Sequence, residues 1–118
     1  MTDGERMEHI ENELQLLGIT KRYRGYRQAV LAIELAMENE ENLQNVTGRI
    51  YKTVAVHCGC AQSCIERNIR TISRVAWKAN CPRLKQIARF PLYAPPAASE
   101  FISILATHLQ RTQKEQLL

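Results

Sequence analysis

Apolar residues recur along this chain at intervals of three and four, the spacing that lines one side of an α-helix. No stretch alternates convincingly in the two-residue rhythm of a half-buried strand. Ile10, Leu14 and Leu17 predict a short helix over 10–17, stopped by Gly18, with 1–9 a flexible polar lead. Ala29, Val30, Ile33, Leu35, Ala36 and Met37 give a second helix, 26–39, a wide apolar side suited to the centre of a core. The acidic, asparagine-rich run 38–42 suits a loop, and acids at a helix C-terminus oppose the macrodipole, so fraying is expected there. Thr47 is placed to cap a third helix reaching about His57.

A fourth helix, 61–80, carries Ile65, Ile69, Ile72 and Ala76 on one stripe. Asn80 ends it, and Pro82 suits the first turn of a short fifth helix, 82–89. Pro91, Pro95 and Pro96 make 90–98 an extended connector. Ser99 then caps a last helix, with Phe101, Ile102, Leu105 and Leu109 facing inward and a polar stretch beyond Gln110.

The segment 46–80 has the order of a helix-turn-helix. Ala55 is small where two helices cross, Gly59 supplies positive φ in the turn, and Ile65 fills the angle between them. The expected fold is therefore all-α: about six helices in a bundle containing a helix-turn-helix, of the winged-helix-like superfamily without a wing. Residues 10–113 form the expected domain, and 114–118 a polar tail.

Charge sharpens this picture. On the fourth helix Ser63, Arg67, Arg70 and Arg74 lie opposite the isoleucine stripe, with Thr71 and Lys78 beside them, and Glu66 is the helix's acid. An ordinary solvated face mixes both signs, whereas this one is nearly all positive and invites an anionic lattice such as DNA phosphate. The formal net charge of +4 hides an asymmetry. Residues 1–45 are net negative, whereas 46–90 set Arg49, Lys52, Arg67, Arg70, Arg74, Lys78, Arg83, Lys85 and Arg89 against Glu66.

Composition excludes several classes. At 118 residues, 45% hydrophobic, the chain is one globular domain with a moderate core. No run suffices to span a bilayer, and the order of a signal peptide is absent, so the expected location is the cytoplasm, at the nucleoid. His9, His57 and His108 are scattered, with no Ser or Asp placed for a triad and no glycine-rich phosphate loop, so no enzyme and no cofactor is expected.

With the helices placed, the chain resembles a known family. Leu17-Gly18-Ile19, Gly25-Tyr26, Ile50-Tyr51, Val54-Ala55, Ser63, Ile65-Glu66-Arg67, Ile69-Arg70, Val75-Ala76-Trp77 and Ser99-Glu100-Phe101-Ile102 carry the likeness. They are similar to the C-terminal DNA-binding effector domain of the master sporulation response regulator of endospore-forming Firmicutes. The likeness runs from about Ile10 to Leu109. It implies a six-helix bundle whose fourth helix reads the major groove of a short AT-containing box, often in tandem copies. Carried over by position, it implies that Glu66 and Arg67 reach base edges, while Ser63 and Arg70 hold the helix against bases or phosphates.

Two positions depart from the family: Cys64 stands where it usually has arginine, and Thr71 where it has histidine. Both belong to the reading face or its edge. Loss of a bidentate arginine costs roughly 1–3 kcal/mol of discrimination at one base pair, so the box read here is expected to be relaxed or altered. Arg74, Lys78, Lys52 and Arg49 are the expected phosphate ligands. Nothing before Ile10 supplies the aspartate pocket of a receiver domain, leaving either a separately made fragment or a free-standing effector; Met1 favours the second.

Double-stranded DNA is the expected partner, together with a second copy on tandem sites through the C-terminal helix, RNA polymerase, or a full-length regulator. A protein-interaction module without DNA binding, docking through Phe101, Ile102 and Leu105, is the alternative. A thiol sensor is the third. Cys64 in a first helical turn near Arg67 has two features that lower a thiol pKa. Cys58, Cys60, Cys64 and Cys81 lack the paired spacing of a zinc site; Cys58 is expected to point into the core and Cys64 near the groove-facing side, so no metal site is expected.

Overall fold

The computed structural model describes residues 2–117, with the side chains of Asp3, Gln116 and Leu117 left aside. Five α-helices form an all-α bundle: α1 (Asp3–Leu16), α2 (Tyr26–Glu38), α3 (Lys52–Cys58), α4 (Gln62–Ala88) and α5 (Ala98–Leu117). A 3₁₀ helix, Glu40–Asn45, and a π helix, Val46–Tyr51, link α2 to α3. The apolar stripes meet as their periods require. Ile10, Leu14, Ile33, Ile65, Ile69, Ile72, Phe101, Ile102 and Leu105 are all essentially without solvent contact. Helix α2 packs against α1, α4 and α5, which explains its wide apolar side.

The expected fourth and fifth helices are present as the two halves of α4, on either side of a kink, and are counted here as one of five. The break between them falls at Asn80, whose backbone (φ −153°, ψ 65°) is not helical. Its side chain serves both sides of the bend: Nδ2 donates to Leu16 O (2.8 Å), and Oδ1 accepts from Arg83 N (3.3 Å). Pro82 follows in the first turn of the second half, where its missing N–H costs nothing. A straight rod of this length would measure about 40 Å, against a longest molecular extent of 38 Å, so the bend keeps the helix within the bundle.

Other boundaries move for local reasons. Helix α1 begins at Asp3, inside the expected lead, because Thr2 accepts from Glu5 N (3.2 Å) and caps it. The expected loop 38–42 shortens to Asn39 and the start of the 3₁₀ helix, since asparagine amides replace missing backbone partners. Asn42 donates to Leu35 O (2.8 Å) and Asn39 accepts from Glu41 N (3.0 Å). Asn45, not Thr47, caps the next segment by accepting from Gly48 N (3.0 Å). At α5 the expected cap Ser99 already lies within the first turn. Glu100 reaches back to Ala97 N (3.3 Å) instead, half of a capping box.

Candidate nucleic-acid interface

Helices α3 and α4 are joined by a tight turn. Gly59 adopts the left-handed conformation (φ 67°, ψ 38°), which glycine reaches without steric cost, and Cys60 N bonds back to Ala55 O (3.1 Å). Ala55 and Ile65 are buried where the two helices meet. Ser73, fully buried on α4, donates to Pro96 O (2.7 Å) and ties the helix to the proline connector. These anchors fix which side of α4 faces out.

The outward side carries the residues expected there. Ser63, Arg67, Arg70, Thr71, Arg74 and Lys78 are exposed, while Cys64 and Glu66 are half-buried at its edges. Arg67 forms no ion pair among the described residues. Arg70 lies 3.6 Å from Glu66 one turn earlier, and Arg49 lies 3.8 Å from Glu41. Both are loose surface pairs of about 0–1 kcal/mol, weak enough for a phosphate to displace. Thr71 Oγ1 donates to Arg67 O (3.1 Å) along its own helix. Lys52 and Arg49 are exposed ahead of the turn, in α3 and the π helix.

Glu66, at the edge of the outward side beside Arg70, also borders a cleft with Tyr51, Ala97 and Glu100. Tyr51 is buried there, and its hydroxyl has no protein hydrogen-bond partner among the described residues. Burial first, and the Glu66 carboxylate second, push its pKa up to about 12. Trp77 is half-buried against the core, with Lys85 Nζ 5.4 Å from its ring centroid.

Arg83 does not join the basic face. It makes a bidentate pair with buried Glu13 (2.9 and 2.7 Å), and His108 Nε2 lies 3.0 Å from the same carboxylate. That hydrogen bond holds the Arg83 guanidinium above its ordinary pKa. Glu13, Arg83 and His108 thus join α1, α4 and α5. The expected partner surface on α5 is also corrected: Phe101, Ile102 and Leu105 are wholly inside, because their stripe closes the bundle, and cannot meet another chain.

Cys58, Cys60 and Cys64 surround the turn, all half-buried and unbridged, with Cys81 near the bend of α4. Cys60 accepts weakly from Gln28 Nε2 (3.8 Å), and its thiol pKa is raised by burial first, then by Cys58 and Cys64. A raised pKa leaves less thiolate at neutral pH. Among the described residues, no group of three or more His, Cys, Asp or Glu side chains is placed to hold a metal. No described helix is long and apolar enough to cross a membrane.

The segment 19–24 reads from sequence as a basic connector; what the sequence did not show is that it lies beside α4. Lys21, Arg22 and Arg24, in the connector before α2, are exposed beside α4. The available signal was a stretch free of acids, between Glu13 and Glu34.

An all-α bundle that buries one side of a long helix and turns an arginine-rich side to solvent defines a class of small, basic, helical domains. The family model for the sporulation initiation factor Spo0A C terminal matches residues 10–109, nearly the whole chain. The chain belongs to this family, the C-terminal DNA-binding effector domain of Spo0A-type response regulators.

Proposed function

We propose that this chain is a sequence-specific double-stranded DNA-binding regulator of transcription in a sporulation-related programme. In this reading α3 and α4 act as a helix-turn-helix, with residues 61–80 lying in the major groove. The observation that carries this reading is the outward side of α4, with Arg67, Arg70, Arg74 and Lys78 exposed and Arg67 unpaired among the described residues. Arg67 reads a base edge, where a guanidinium bonds bidentately to guanine O6 and N7, and Glu66 accepts from cytosine N4. Ser63, Arg70, Cys64 and Thr71 complete the reading edge, while Arg74, Lys78, Lys52 and Arg49 hold phosphates. In this reading 10–113 is the DNA-binding domain, acting in the cytoplasm at the nucleoid. Tandem sites would seat two copies, with RNA polymerase or a full-length regulator as the protein partner.

Selection of bound duplexes from a random pool tests the reading. Arg67→Ala is expected to relax preference at one base pair by about 1–3 kcal/mol. Lys78→Ala is expected to weaken all duplexes alike and lower the salt slope by about one unit. Failure of the wild-type chain to enrich any sequence, or identical behaviour of both variants and wild type, would remove it.

A further inference from the structure

The connector between α1 and α2 runs along the flank of α4. At one end, a Cβ added to Gly18 would stand 2.5 Å from Ala79 Cβ, and Asn80 Nδ2 holds Leu16 O. At the other, a Cβ on Gly25 would stand 2.8 Å from Asn68 Cβ, and Asn68 Nδ2 donates to Gln28 Oε1 (2.8 Å). Ile19 is buried and pins the start, while successive turns (Tyr23 N to Thr20 O, 3.1 Å; Tyr26 N to Tyr23 O, 3.0 Å) lift the middle outward. Asn68, Val75 and Ala79 lie roughly a third of a turn round α4 from the stripe of Arg67, Arg70, Arg74 and Lys78. The connector is therefore a shoulder beside the outward side of the helix.

That shoulder is positive. Lys21, Arg22 and Arg24 are exposed, and none forms an ion pair among the described residues. The two acids that most nearly precede them in the chain are engaged elsewhere. Glu13 is buried with Arg83 and His108, and Glu11 sits by the Tyr26 hydroxyl. A major groove is about 12 Å wide, and a helix with its side chains is about 10–12 Å across. A helix seated there leaves no room for a second segment, so a shoulder beside it meets the sugar–phosphate wall.

We infer that the connector is a second phosphate-binding edge, with Lys21, Arg22 and Arg24 gripping the strand that borders the groove occupied by α4. This rests on the DNA-binding reading above and adds three contacts to it. Phosphates carry no base identity, so the edge contributes affinity and orientation without altering which sequence is preferred.

The test compares wild type with Lys21→Ala/Arg22→Ala/Arg24→Ala by fluorescence anisotropy across a salt series. The probes are a labelled 30-base-pair duplex enriched by the wild-type chain from a random pool and a scrambled duplex of the same composition. Each lost phosphate contact removes about 0.9 from the slope of log K against log salt, so a drop of about 2–3 is expected on both duplexes, with their affinity ratio unchanged. A slope equal to wild type overturns the inference, and so does a collapsed ratio, which would make the connector a base reader. Absence of binding by the wild-type chain overturns the underlying reading instead. Circular dichroism checks the fold; if the triple variant fails to fold, Lys21→Gln and Arg24→Gln singly are expected to lower the slope by about one each, and no change in either overturns the inference.

Discussion

Glu13 shows how much a single side chain's role depends on its surroundings. In the sequence it is one acid in a polar, acidic segment, and it looks solvated. In the bundle it is 5% exposed and receives Arg83 through two hydrogen bonds and His108 through a third contact. Removing it strands a half-buried guanidinium. Glu13→Ala is expected to cost about 3 kcal/mol in urea unfolding, the low end for a broken buried pair because Arg83 retains some solvent. DNA affinity of the folded variant is expected to hold. Tyr51 works the other way, burying a hydroxyl without a protein partner. Tyr51→Phe is expected to be neutral or to stabilise by about 1 kcal/mol, since it removes a desolvated group rather than a bond. Its folded pKa of about 12 lies above the ordinary 10.0, so below pH 10 the ring is neutral in both states. As pH rises from 10 through 12 the unfolded chain ionises first, and stability falls. Tyr51→Phe should lessen that alkaline loss, read by denaturation at stepped pH. The sequence pattern favoured the core for Tyr51, but the roles of Glu13 and His108 were not legible, because they come from neighbours as many as 95 positions away in the chain.

At the level of elements, periodicity carried most of the information. The stripes Ile65–Ile69–Ile72–Ala76 and Phe101–Ile102–Leu105–Leu109 are buried as their spacing requires. What periodicity does not encode is the chemistry of ends. The asparagines after α2 cap and bond rather than form a slack loop, and the π helix Val46–Tyr51 has no signature in the apolar pattern. The break at Asn80 was legible from Asn80 and Pro82; what was not is that the Asn80 side chain caps the second half and ties the joint to α1. The close approach at Gly18 makes a test of this joint. Gly18→Ala forces a side chain into a left-handed position (φ 83°) and against Ala79, and is expected to cost about 2 kcal/mol or more. Ala79→Gly in the same chain should recover only the steric share, as read by the shift in thermal midpoint.

For the molecule as a whole, the sequence set an acidic first part against a basic middle, and folding redraws that map. Acids near the start are drawn into pairs: Glu13 with Arg83, Glu38 with Arg6, Glu41 with Arg49. The cations of the connector stay outside and come to lie beside α4. Composition alone could not have revealed this, because it depends on which segments become neighbours. The same neighbourhoods set the order of opening. Helix α2, packed against α1, α4 and α5, is expected to exchange its amide hydrogens only through global unfolding, while α3 and the turn at Gly59 exchange sooner. Native-state hydrogen exchange followed by mass spectrometry checks this; equal rates in α2 and α3 would contradict it.

Asn80 has one further consequence, for how this molecule ages. Its amide must give a hydrogen to Leu16 O and receive one from Arg83 N, and both duties rest on one planar group. Spontaneous deamidation would set a carboxylate oxygen against a carbonyl oxygen, and glutamine would be a methylene too long to replace it. Stored preparations would then lose the tie between α1 and α4 while Arg83 N keeps its acceptor, and a slow loosening of that joint would trace back to a single hydrolysed amide.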